Sequence, residues 1–123
     1  MYTQPIVLRY ESAEAFETLR RGYHADFAPA DRHQAILVDR MAAAAWRLRR
    51  LDSLTADTIE QARANPGSEE SARALIELRK FQSAQSRIYI RTFRKLRLSQ
   101  AAAQCHRKNP DNEPEFSAFY RVA

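Results

Sequence analysis

The chain has 123 residues, of which 45% are hydrophobic and 28% charged, and a formal net charge of +5. That length holds one domain with a modest core. Only two glycines occur, Gly22 and Gly67, which excludes Gly-rich phosphate loops and disfavours a turn-rich sandwich or barrel. The single cysteine, Cys105, excludes an internal disulfide framework and a CxxC zinc site. No apolar run approaches the ~18 residues of a membrane span and no N-terminal signal sequence is visible, so a cytoplasmic protein without a membrane role is expected.

Residues 1–10 have no helical period and read as an arm, either frayed or laid on a neighbour. Ser12 is a good N-cap, and Phe16, Leu19, Tyr23 and Phe27 recur at spacings of three and four, predicting a helix over 12–28 that Pro29 ends. Asp31 followed by Gln34 is a variant of the capping box and opens a second helix over 31–64. Its main stripe is Leu37, Met41, Ala45 and Leu48, with Ala44 beside it. Ile36, Ala43 and Trp46 lie on another side, so this helix is expected between two partners. Asn65-Pro66-Gly67-Ser68 breaks the chain. A third helix then runs over 68–108, with Leu75, Leu78, Phe81, Ile88, Tyr89, Phe93 and Leu96 on the core side. Gln82, Gln85, Thr92 and Gln100 interrupt that side, which fits a loose antiparallel hairpin better than a leucine zipper. Residues 109–123 form a tail that Pro110 and Pro114 keep from continuing the helix.

The charge is lopsided. From Arg79 to Lys108 there are nine basic residues and no acid, while the remaining 11 basic residues face all 15 acids. Lys80, Arg87, Arg91, Arg94 and Lys95 fall on the side of the third helix opposite its apolar side. Cations every third or fourth residue can track a phosphate backbone without reading bases. The plainer alternative is a solvated face, or one that pairs with acidic helices of another subunit. Trp46-Arg47-Leu48-Arg49-Arg50 is a basic-aromatic cluster: Trp46 either packs as an anchor, with the arginines pairing to Asp39 and Asp52, or grips a partner. Glu11, Glu14 and Glu17 read as solvated carboxylates near a helix start. His24, His33 and His106 are isolated, with neither HExxH nor ExxH, and Cys105 and His106 point in different directions. No constellation points to an enzyme, a metal or a cofactor. Phe116, Phe119 and Tyr120, led by Asp111, Glu113 and Glu115, are either a docking segment or a plain end.

In order, Phe16-Glu17, Phe27-x-Pro29, the Trp46–Arg50 element, Arg87…Arg91…Leu96 and Asn112-Glu113-Pro114 form a recognisable pattern. It resembles a group of small uncharacterised bacterial proteins, of the kind numerous in acidobacteria, that share a WRLRR element and a C-terminal NEP motif. The likeness spans about residues 16–114. Lys80-Phe81-Gln82 stands where those proteins carry Arg-Tyr-Glu, and Glu115–Ala123 extends past their usual end. The resemblance implies a helical fold and transfers no catalytic residue.

The resulting expectation is an all-α, three-helix bundle-like protein: a long antiparallel hairpin bridged by a short first helix and self-associating as a homo-oligomer. Its expected function is non-enzymatic binding of nucleic-acid backbone, DNA or RNA, through Lys80, Arg87, Arg91, Arg94 and Lys95. The alternative is a structural subunit whose basic face meets an acidic protein surface. Trp46, Phe116 and Phe119 are the candidate partner-binding residues.

Overall fold

The computed structural model describes residues 6–108, which form three helices and, among the described residues, no strand. The candidate tail anchors Phe116 and Phe119 lie outside these residues. The helices are α1 (Ala13–Phe27), α2 (Arg32–Ala64) and α3 (Glu69–Lys108).

Local chemistry places the helix ends. The Ser12 hydroxyl accepts a hydrogen bond from the Ala15 amide at 3.1 Å, and Ser68 accepts one from the Ser71 amide at 3.2 Å. Asp31 accepts from the Gln34 amide at 2.8 Å, and the Gln34 carboxamide oxygen reaches back to the Ala30 amide at 2.8 Å. This is the reciprocal logic of a capping box. The Gln34 Nε2 donates to Ser99 Oγ at 3.2 Å, so this buried glutamine also ties α2 to α3. Ala28 ends α1 in the left-handed region at φ 44°, a conformation costing a non-glycine residue about 1 kcal/mol. Gly67, at φ 87°, makes the turn between α2 and α3 without that cost.

Helices α2 and α3 pair antiparallel along their length. Gln82 meets Asp52 and Thr55 near the turn, while Gln34 meets Ser99 at the far end. Leu37, Val38, Met41 and Leu96 form the core, with Tyr23, Phe27, Tyr89 and Phe93 packed against it. Full burial of a side chain such as Leu96 contributes roughly 2–3 kcal/mol. Two of the glutamines that interrupt the apolar side of α3 tie it to its neighbours: Gln82 bonds α2, and Gln100 donates to the Phe27 carbonyl at 2.6 Å, whereas the buried Gln85 Oε1 meets no donor among the described residues.

Helix α1 lies antiparallel on α2 and touches α3. Phe16 meets Trp46 edge-on at 5.5 Å, Tyr23 meets Tyr89 at 6.3 Å and Phe27 meets Phe93 at 6.0 Å. On the second apolar side of α2, Trp46 is therefore covered by α1, whereas Ile36 remains 43% exposed.

Two residues assigned to the core side of the third helix are elsewhere. Phe81 is 57% exposed and Ile88 38% exposed. Helix α1 is too short to cover the whole hairpin, and two helices shield each other along a single narrow seam. On α3 that seam runs through Leu78, Gln82, Gln85, Tyr89, Thr92 and Leu96, and Phe81 and Ile88 sit one position off it.

Candidate nucleic-acid interface

All five predicted cations, Lys80, Arg87, Arg91, Arg94 and Lys95, are exposed on α3. At 3.6 residues per turn, the spacings from Lys80 through Arg87 and Arg91 to Arg94 align four of them on one ridge about 21 Å long. Lys95 follows Arg94 directly and flanks the ridge about 100° round the helix. The ridge faces away from the α2 seam. Among the described residues, no carboxylate comes within 4.0 Å of the Arg87, Arg91, Arg94 or Lys95 cation. Lys80 pairs with Glu77 at 3.4 Å, an exposed contact of little energetic weight.

A shallow groove of about 450 Å³ runs beside the ridge, lined by Leu75, Ile76, Arg79, Lys80, Ser83 and Arg87. Three of its six lining residues are cations, and Leu75 and Ile76 add an apolar stretch. Arg79 was not among the predicted site residues. The only signal for it in the sequence is its place in the acid-free run. Arg97, also in that run, lies over the Phe27 and Phe93 rings at 5.4 and 5.2 Å and donates to Gln100, so it serves packing.

Trp46 is 7% exposed, and its indole N–H donates to Glu11 Oε1 at 3.1 Å. Packed also against Phe16, it leaves a partner little ring to meet; Arg49 lies 5.8 Å over it. The arginine pairing expected here is different in the structure. Arg50 bonds neither Asp39 nor Asp52. It meets Glu11 through two bonds, at 2.8 and 2.7 Å, and donates to the Ile6 carbonyl at 2.6 Å. Asp39 instead accepts from Arg20 at 3.0 Å and pairs with His24 at 2.7 Å, joining α1 to α2. Burial raises the Asp39 pKa, but the His24 and Arg20 hydrogen bonds outweigh it and hold the carboxyl below its ordinary value.

Glu11 is accordingly not a solvated carboxylate. Its side chain is 12% exposed and that of Arg50 15%, and this bidentate pair clamps the segment before α1 onto α2. The Arg50 hydrogen bonds, opposed by burial and aided by the Leu8 amide and Trp46, lower the Glu11 carboxyl from 4.5 to about 2. A carboxyl more acidic in the folded state than in the unfolded one stabilises above its unfolded pKa, and that stability is lost as pH falls through the folded value. The wild type should therefore lose about 2–3 kcal/mol between pH ~4.5 and ~2 that Glu11→Gln, already lacking the pair, does not lose. Urea unfolding of both proteins across this range checks it, and parallel pH profiles would refute it.

Comparison with protein-family models, curated proteins and solved structures gave no match. Among the described residues no group of three or more His, Cys, Asp or Glu side chains could hold a metal ion, and no helix is long and apolar enough to cross a membrane.

Proposed function

We propose that the protein is a non-enzymatic helical module that holds nucleic-acid backbone along the outer face of α3. The observation that supports this reading is the ridge of Lys80, Arg87, Arg91 and Arg94. It is exposed, and Arg87, Arg91 and Arg94 have no carboxylate partner among the described residues. A rigid helix spaces these cations without reading base edges, so the binding is indifferent to sequence. Arginine suits phosphate because its planar fork makes two parallel bonds to one anion.

Four to five phosphate contacts set a log–log slope of affinity against salt of about −4 on duplex. Fluorescence anisotropy with random-sequence duplex and single-stranded probes, titrated from ~50 mM salt upward, measures that slope. No binding at the lowest salt overturns the reading. A second reading, a structural subunit whose basic face meets an acidic protein surface, is favoured by Ile90 and Leu98, exposed on the same helix. It becomes the better one if neither nucleic-acid probe binds.

A further inference from the structure

Beyond α1, the α2–α3 hairpin continues as an arm of two helices. No residue from 52 to 91 is buried. Six of the nine large hydrophobic side chains exposed among the described residues lie in that stretch, and of these Leu54, Phe81 and Ile88 share one flank, while Ile76 and Ile90 face the other side of α3. Exposed apolar surface grouped on one part of a molecule marks a contact.

The register defines the face. Gln82 opposite Asp52 and Thr55 puts Phe81 and Leu54 at one level of the hairpin. On α2, Arg40, Arg47 and Leu54 repeat every seven residues on the flank away from α1, whose contacts are with Asp39 and Trp46. On α3, Ile88 belongs to the same flank, because one groove of about 290 Å³ is lined by Ile88 together with Ile36, Arg40, Ala43 and Arg47, with Asp39 and Ile6 at its border. Charge divides along this flank. Towards the turn the flank carries Glu70, eighteen residues and so five whole turns from Ile88; towards the other end it carries Arg40 and Arg47.

We infer that this flank is covered by a second copy of the chain, antiparallel to the first about a two-fold axis at the level of Leu54 and Phe81. Two arms then complete a four-helix bundle, and the central apolar side chains bury each other. The axis carries Glu70, about 16 Å towards the turn and five whole turns from Ile88 on the same flank, to the level of Arg40 and Arg47 in the partner copy. Acid meets base twice in each dimer, and the acidic turn region is matched to the surface that complements it. The nucleic-acid reading is independent of this dimer, because Arg40, Arg47, Leu54 and Phe81 are not part of the α3 ridge.

The test is sedimentation equilibrium of the full chain, free of nucleic acid, at tens of micromolar. The expected mass is twice 14.2 kDa. Phe81→Glu and Leu54→Glu alter side chains exposed in the single copy, so helicity by circular dichroism should hold while self-association weakens about tenfold or more. A charge swap tests the antiparallel geometry. Glu70→Lys, and separately Arg40→Glu with Arg47→Glu, should each weaken self-association, and a mixture of the two variants should restore it. A monomer throughout, a dimer indifferent to Phe81→Glu with Leu54→Glu, or a mixture that does not associate would each overturn the proposal. A monomer would leave the flank to another occupant, such as residues 109–123.

Discussion

Trp46→Ala is expected to destabilise the protein by about 3–5 kcal/mol, the range for removing a large aromatic side chain from a packed site. The indole sits between α1 and α2 and is almost fully enclosed. Its loss removes the edge-on contact with Phe16, the hydrogen bond to Glu11 and the ring beneath Arg49. Three features then weaken together: the docking of α1, the Glu11–Arg50 clamp and the start of the two-helix arm. Urea unfolding followed by circular dichroism gives the value, since the variant has no tryptophan to report by fluorescence. Trp46→Phe keeps an aromatic ring and loses the N–H donor, so it should cost about 1 kcal/mol beyond the packing change. A loss under about 1 kcal/mol for Trp46→Ala would remove the residue from the core, because such a value belongs to surface positions.

The triple variant Arg87→Glu, Arg91→Glu, Arg94→Glu is expected to lose polyanion binding with its helicity intact. Three substitutions of two charges each take the formal net charge from +5 to −1. More to the point, they turn the centre of the ridge from attractive to repulsive for phosphate. With a salt slope near −4, removing three of the four or five contacts should reduce affinity at ~50 mM salt by about 100-fold or more. The fold should tolerate the change, because all three side chains are exposed and none has an acidic partner among the described residues. Anisotropy and circular dichroism on the same sample separate the two effects. Unfolding of the variant would mean that the arginines hold the structure, and unchanged binding would place the polyanion contact elsewhere.

Much of the fold was legible without coordinates. The three helices begin and end within a residue of where Ser12, Pro29, Asp31, Asn65 and Ser68 placed them. Capping is a contact between residues three or four apart, so its partners are neighbours in the chain. The exposed cations of α3 were legible for a similar reason: periodicity alone puts them opposite the apolar seam.

Other features depended on how far each helix extends over its neighbours. The periodicity of α3 could not separate Tyr89, packed against the core, from Ile88, exposed one position away, because both belong to one broad apolar arc. Whether that arc is covered is decided by α1, which lies on one side of the seam, against Tyr89 and Phe93, and leaves Ile88 open on the other. Likewise, nothing local distinguishes Glu11 from Asp39 or Asp52 as the partner of Arg50. The separation of 39 positions between Glu11 and Arg50 is closed only once α1 folds back along α2. Local hydrogen bonds place helix ends, whereas the pairing of a charge and the burial of a flank are set by which helix lies alongside.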